Sequence, residues 1–542
     1  MKFFFPLILI LFITISTQKL VAQEVYQHVS NTDIYEFIDE LANAQVITIN
    51  SSVKPYSRIL IAHKLFEAGT KKEKLNPRQN KELAFYLKDY NKELMPDAHF
   101  DKRRDLFFYK DSLFTLSFNP ILGISAYSND TAKMFHRWNG AEAFSYVGKN
   151  VGIYASLRDN YENKRLAGPG FLNNFQGADY KLDGHSEAGE YSEMRGGITY
   201  SWNWGTLGMI KDHFVWGDNY HGANIFSGHA PSITHLKLHI HPVAWLDFNY
   251  VHGWLISEVV DSNNSYLSNP GYRLVFHPKY VAANLLTITP FKNLDISVGN
   301  SIIYSDKNVQ PAYLIPFFFY KSVDHTQSGA GSNWLSENSQ MFFNISSRQF
   351  KNIHLYTSVF IDEISFSTMF DERTQSNIIS AKIGARLSNF LVDDFFLTAE
   401  YTRSNPLVYK HYISTATFES NFYNLGHYLG DNAQEIFLSA AYKPFAKFSA
   451  EISYSIAQKG AAYPYTGQAG TDGSGQGLSF IKNVYWQASE VAVHTQYQVI
   501  NDCYVFAGIL ISDHHGVDVD TYTQPYFRGK RTTVNIGANV GF

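Results

Sequence analysis

From residue 112 onward, apolar and polar residues alternate with period two, the pattern of strands with one face of each kind. Phe448, Ala450, Ile452, Tyr454 and Ile456 interleave with Lys447, Ser449, Glu451, Ser453 and Ser455. Ile379, Ala381, Ile383, Ala385 and Leu387 interleave with Ser380, Lys382, Gly384, Arg386 and Ser388. Val534, Ile536, Ala538, Val540 and Phe542 do the same at the end of the chain. About eighteen strands follow, starting near residues 113, 134, 150, 192, 205, 234, 243, 279, 292, 338, 351, 376, 392, 433, 446, 485, 501 and 532. After the first link, the connections alternate strictly in length. Tight ones, such as Gly148-Lys149, Phe291-Lys292 and Asn501-Asp502, separate long ones such as 159–191, 305–337 and 458–484. An even strand number with short turns on one side and long loops on the other is the plan of an all-β transmembrane barrel of the outer membrane. A soluble sandwich has no reason to put every long loop on one side. In that frame both termini are periplasmic and the long loops extracellular.

Residues 23–111 follow a different period and predict a small periplasmic α-helical region, either a plug for the barrel or a module that recruits a periplasmic partner. Ile34, Phe37, Ile38 and Leu41 fall on one helical face. A second helix starts after Pro55 and ends near Gly69. A third has Asn76 as cap, Pro77 in its first position and Gln79 closing a capping box, and Pro96 stops it. Residues 1–22 read as a signal peptide, with Lys2, an apolar run Phe3 to Ile15, and a small-residue site at Leu20-Val21-Ala22. Cleavage there leaves no cysteine at the new terminus, so a lipid anchor is not expected. The domain boundaries are therefore 1–22, 23–111 and 112–542.

Charge density supports the division. Charged residues make up 28 of the 88 residues in 24–111, but only about 15% of 112–542, against a usual ~25%. Aromatics reach 16%, which excludes a disordered chain. The net charge of -4, with no basic block, argues against nucleic acid. One cysteine, Cys503, excludes a disulfide scaffold. No run of ~18 apolar residues occurs past the N-terminus, which excludes a helical membrane protein.

The stretch Asp33-Ile34-Tyr35-Glu36-Phe37-Ile38-Asp39-Glu40-Leu41-Ala42, then Val46-Ile47, then Lys54-Pro55-Tyr56-Ser57-Arg58, resembles the N-terminal helices of Wzi-type capsule assembly proteins, in the style of Bacteroidetes-like forms. Phe214-Val215-Trp216-Gly217 to Gly222, and Pro311-Ala312-Tyr313-Leu314-Ile315-Pro316, resemble that family's mid-barrel segments. The resemblance implies an eighteen-stranded barrel whose helices plug the periplasmic end. It also implies a lectin, rather than an enzyme, that holds capsular polysaccharide at the cell surface; no cofactor is expected. It carries over no sugar-binding residue.

Sugar binding needs aromatic faces for stacking and planar polar groups for paired hydrogen bonds. Long links with that mixture contain Trp216, Asp218, Tyr220 and His221, then Trp334, then Tyr463 and Tyr465. These are the candidate carbohydrate-binding residues. Trp216 and Tyr220 could instead belong to an aromatic girdle or fold a loop inward. Asp513-His514-His515, with Asp518 and Asp520, is the densest metal-like cluster. Adjacent strand residues point to opposite faces, so His514 and His515 do not share an ion, and no metal is expected. Asp513 and His514 could supply a base, but no nucleophile accompanies them, so no enzyme is expected. Inward charges Lys382, Arg386, Glu400, Arg403 and Glu451 could line a solute path or pair with each other and the plug. Expected partners are surface polysaccharide, outer-membrane lipid and, through the terminal Phe542, the barrel-assembly machinery. A solute channel, or a structural part of a secretion or motility machine, is the alternative function.

Overall fold

The computed structural model describes residues 23–94, 103, 105–181, 187–269, 271–327, 337–363, 377–465 and 478–541. The signal segment, Pro96 and Trp334 lie outside the described residues.

Eighteen antiparallel strands close into a barrel. They are β1 (Phe114–Ser128), β2 (Lys133–Val147), β3 (Val151–Glu162), β4 (Gly189–Trp202), β5 (Gly205–Asp212), β6 (Ile233–Val243), β7 (Leu246–Leu255), β8 (Lys279–Phe291) and β9 (Leu294–Ser305). They continue as β10 (Asn338–Ser347), β11 (Ile353–Glu363), β12 (Ile378–Ser388), β13 (Phe395–Ser404), β14 (Ala433–Tyr442), β15 (Phe448–Lys459), β16 (Trp486–Ile500), β17 (Cys503–His515) and β18 (Gly529–Val540). Every strand starts within three residues of its expected position. The alternating pattern therefore locates the strands, and the facing pattern constrains their pairing, because a slip of one residue would turn each side chain to the wrong face.

Closure runs through β1. Leu122–Ser128 pair with β18, while Thr115–Phe118, on the same edge, pair with a short strand, Phe107–Lys110. The sequence puts 107–110 in the helical region. In the structure this segment completes the wall where β18 ends. Outward positions are exposed and apolar, for example Ile198, Ile383, Ile452, Ile509 and Ile536. Exposed aromatics mark the short turns: Trp204, Trp245, Phe291, Phe350 and Phe445. That arrangement is an apolar belt with an aromatic girdle.

The three predicted helices are α1 (Thr32–Asn43), α2 (Arg58–Gly69) and α3 (Pro77–Leu94). Ser57 Oγ accepts from Leu60 N at 3.3 Å at the start of α2. The capping box of α3 is reciprocal: Gln79 N donates to Asn76 Oδ1 at 2.8 Å, and Asn76 N to Gln79 Oε1 at 3.0 Å. The helices share one apolar core, including Ile34, Phe37, Leu41, Ile61, Leu65, Leu83 and Tyr86. They dock on the short turns. Asn352 N donates to Asn43 O at 2.6 Å, Asn76 Nδ2 to Asp394 Oδ1 at 2.6 Å, and Asn501 Nδ2 to Phe85 O at 3.2 Å.

Two long links turn into the lumen. Phe214, Trp216, Ile225 and Phe226 of the β5–β6 link pack with Leu407, Val408, Tyr409, Phe418 and Tyr423 of the β13–β14 link. The inner faces of β7 to β11 meet them through Val251, Val281, Leu285, Ile303, Phe342 and Phe360. The main apolar core of the protein is therefore inside the barrel. Residues 306–327, after β9, lie on the outside of the wall.

Candidate functional site

The structure brings Trp216, Asp218, Tyr220 and His221 together, but inside the barrel. Val215 and Trp216 pair antiparallel with Val53 and Lys54, so the β5–β6 link is stitched to the chain between α1 and α2. Trp216 is 1% exposed. Its ring meets Phe226 edge-on at 5.2 Å and Phe342 at 6.0 Å between centroids. No face is left for a sugar. The expectation of an outer-loop tryptophan is corrected: burying its indole among apolar rings favours the lumen over water.

Asp218 is occupied as well. Its Oδ2 accepts from Asn344 Nδ2 at 2.7 Å, its N donates to Asn344 Oδ1 at 3.0 Å, and Ser51 Oγ donates to its Oδ1. Tyr220 OH lies 2.9 Å from His354 Nδ1, and the Arg386 guanidinium sits 4.5 Å from its ring centroid. His221 stacks on Phe437 at 4.0 Å, with Nε2 3.3 Å from Glu435. At the centre is Glu400. It accepts from Tyr220 N at 2.7 Å, His221 N at 3.1 Å, Tyr356 OH at 2.5 Å and Lys382 Nζ at 2.7 Å. These residues hold the inward link to β11–β14. Each oxygen of Glu400 has two protein donors, as a buried carboxylate requires.

Three inward wall cations, Arg348, Arg386 and Lys443, pair with carboxylates of α1, while other inward charges pair within the wall or within the plug. Arg348 Nη2 contacts Asp39 at 3.2 Å, and Lys443 contacts Glu36 at 3.2 Å. Arg58 of α2 meets Asp89 at 3.2 Å and Glu93 at 2.6 Å, and Arg195 Nε meets Asp212 at 2.7 Å. Arg403 is the exception. It pairs in register with Ala381 and Gln434 and faces outward, its guanidinium 3.9 Å from the Phe480 ring centroid. The alternation from Glu400 already gives it the opposite face.

Two of the candidate residues, Tyr463 and Tyr465, remain half-exposed at the long-loop end. Tyr463 OH donates to Ser479 O at 3.1 Å. The Tyr465 ring lies 6.1 Å from both Tyr412 and His411, and Lys410 Nζ reaches Tyr463 O at 3.5 Å. This cluster of Lys410, His411, Tyr412, Tyr463 and Tyr465 offers aromatic faces beside donors. The sequence reading passed over His411 and Tyr412; their signal is the run Tyr409-Lys410-His411-Tyr412 inside a long link.

Two further His-carboxylate groups bear on metal binding. His514 points inward with Nε2 2.8 Å from Glu490 Oε1, while His515 is exposed. Their opposite directions follow from strand geometry. Donor atoms of His28, Glu193 and His213 lie within 4.8 Å of one another. Glu193 is already held by Arg158, and Ser30 N donates to His28 Nδ1 at 3.1 Å. That set reads as an ion-pair node fastening the N-terminal segment to β3–β5.

Asp33, in the first turn of α1, borders a cavity of about 220 Å³ between plug and wall, near Gln496 and Tyr504. Burial and the neighbouring Glu36 raise its pKa from 3.8 to about 7, against the pull of Lys443 and Gln496. A carboxyl raised on folding lowers stability as pH climbs between the two values. Asp33→Asn is therefore expected to raise the unfolding temperature at pH 8 and leave it unchanged at pH 4. Thermal unfolding in detergent at the two pH values measures this; equal effects at both would refute the assignment.

No protein-family profile matches the chain, and no curated protein matches it by sequence. Solved structures do match. One is Wzi of Escherichia coli, an outer-membrane protein involved in group 1 capsule assembly and described as a carbohydrate-binding β-barrel. It is 11% identical, covers 96% of this chain and 100% of its own, and superposes with a TM-score of 0.56. OccD3 and OprD of Pseudomonas aeruginosa are 10% and 9% identical, each covering 78% of this chain, and 90% and 94% of their own chains, with TM-scores of 0.41. At these identities the likeness to Wzi concerns the fold: a closed outer-membrane-type barrel with an N-terminal helical region.

Proposed function

We propose that this protein sits in the outer membrane as a plugged barrel and binds surface polysaccharide through its long-loop end. Helices and both termini face the periplasm in this reading. One observation carries it: the lumen is filled by the chain itself. Helices α1–α3 occupy the short-turn end, and the β5–β6 and β13–β14 links occupy the middle. A filled barrel leaves its rim for ligand chemistry. There Tyr412, Tyr463 and Tyr465 supply stacking faces beside the ion pair of Lys410 with Asp431 at 2.8 Å. The described carbohydrate binding of Wzi, which shares the fold, agrees with this reading.

The test measures polysaccharide on washed cells and in the medium, with and without the gene. Anchoring predicts unchanged total synthesis with material moving to the medium. In purified protein, Tyr463→Ala/Tyr465→Ala is expected to weaken binding of the cell's own polysaccharide about tenfold, the worth of roughly 1.4 kcal/mol of stacking. Unchanged affinity would remove these tyrosines from the site. Steady conductance in planar bilayers would instead favour a solute channel.

A further inference from the structure

Residues 306–327, after β9, turn back down the outside of the barrel. This strap contains a 3-10 turn, Pro311–Leu314, and a short helix, α4 (Tyr320–Gln327). It covers wall residues that would otherwise point away from the barrel: Tyr250, Asn284, Asn300, Ile302 and Tyr304. Their outward direction follows from register, because their strand neighbours Val251, Val281, Ala283, Leu285 and Ile303 belong to the core inside.

The depth is informative. Asn300 stands six residues above the short turn at Leu294, roughly 20 Å along a strand and about 15 Å in height at a tilt of ~40°. An apolar belt is only ~25 Å tall. Below the strap, Leu286, Ile288 and Val298 are exposed on the same outer face. Two asparagines thus point outward within the belt, where a bare amide is costly. Both are satisfied by strap backbone. Asn284 Nδ2 donates to Pro316 O at 2.8 Å and Phe318 O at 3.0 Å. Tyr320 N donates to Asn300 Oδ1 at 3.0 Å, and Tyr250 OH donates to Tyr313 O at 2.8 Å. Irregular backbone survives at membrane depth only when its polar groups are met by protein. Between Leu314 and Phe319 the far side of the strap is apolar: Leu314, Ile315, Phe317, Phe318 and Phe319 are all exposed, Phe317 at 66%, with the exposed Lys321, Ser322 and His325 following on α4. Phenylalanine has no polar tip and suits hydrocarbon better than the headgroup layer.

We infer that this strap is a re-entrant segment immersed in the membrane, its Leu314–Phe319 ridge lying among lipid acyl chains while Tyr250, Asn284 and Asn300 seat its backbone. The occupant of the ridge is lipid hydrocarbon. The inference rests on the outer-membrane reading above. It makes the sector β7–β9 a site where the barrel displaces several wall-adjacent lipids and inserts an aromatic wedge.

The test uses the full chain in lipid vesicles, in a Cys503→Ser background. Single cysteines at Ile315 and Phe319 carry nitroxide labels. Collision with oxygen and with a water-soluble nickel chelate is read by paramagnetic resonance. Ile536, 63% exposed on β18, is the wall control, and Leu267, 85% exposed in a loop hairpin, is the water control. The expected result is oxygen access with loss of nickel collision at Ile315 and Phe319, as at Ile536. Nickel access as at Leu267 would overturn the inference. Exclusion of both reagents would overturn it too, since a protein surface would then cover the ridge. Nickel access at Ile536 as well would sink the membrane reading itself. Asn284→Leu with Asn300→Leu should release the strap and raise nickel collision at Phe319, leaving Ile536 unchanged. An unchanged Phe319 signal there would refute the seating role of the two asparagines.

Discussion

Lys382→Met is expected to destabilise the folded barrel by about 3–5 kcal/mol, the scale for breaking a buried ion pair from one side. Lys382 Nζ bonds Glu400 Oε2 at 2.7 Å and His221 O at 3.0 Å, and both side chains of the pair are buried. Methionine fills similar volume, so packing is nearly conserved and the lost charge dominates. Glu400 would keep the amides of Tyr220 and His221 and the hydroxyl of Tyr356 but lose its counter-charge. Because this carboxylate ties the β5–β6 link to β11–β13, the inward link should loosen before the wall does. Lys382→Met/Glu400→Gln should recover part of the loss. Glutamine keeps the oxygen that accepts from Tyr220 and Tyr356, but its amide hydrogens face the His221 N–H. Denaturant unfolding of purified protein gives the cost, and protease sensitivity of the link gives its location. A single variant within about 1 kcal/mol of the parent would show that solvent reaches this pair.

Arg58→Met should cost a similar 3–5 kcal/mol, expressed at the other end of the barrel. Arg58 joins α2 to α3 through Asp89 and Glu93, donates to Gln27 at 3.0 Å, and packs its guanidinium 4.4 Å from Tyr90 and 4.6 Å from Phe144. Asp89 keeps Arg103 at 3.1 Å and Lys92 at 3.7 Å. Glu93 keeps only neutral help from Tyr146 OH at 3.0 Å among the bonds described. The unmet charge therefore falls on Glu93, and Arg58→Met/Glu93→Gln should be milder than the single change. Planar, bidentate recognition is the reason arginine stands here, so Arg58→Lys should recover little. Heat-dependent gel mobility separates the two effects. The Arg58 variant should release the helices while the barrel stays folded. Joint loss of helices and strands at one temperature would contradict that separation.

The candidate site divides sharply in what the sequence could reveal. Aromatic and planar polar residues in long links were legible, and Tyr463 and Tyr465 do lie half-exposed among such links. Trp216 was legible as an aromatic beside Gly217 and Asp218, yet its destination was not. Its seat is built by Val53 from the helical region and by Phe342 from β10, both remote in sequence. Arg403 was legible too, since alternation from Glu400 gives it the outer face.

The sequence by itself determined the barrel: eighteen strands, the alternation of short turns and long links, and three helices with their caps. Those features depend on neighbours within a few positions, so period and capping residues carry them. Only the tertiary structure decided where the long links go. Two fill the lumen and one clasps the outer wall, because wall strands far apart in the chain offer complementary seats. The strands β8 and β9 hold the trace of that decision. Val281-Ala282-Ala283 and Ile302-Ile303 break the alternation, being apolar on both faces. They do so because both faces are covered, by inward links on one side and the strap on the other.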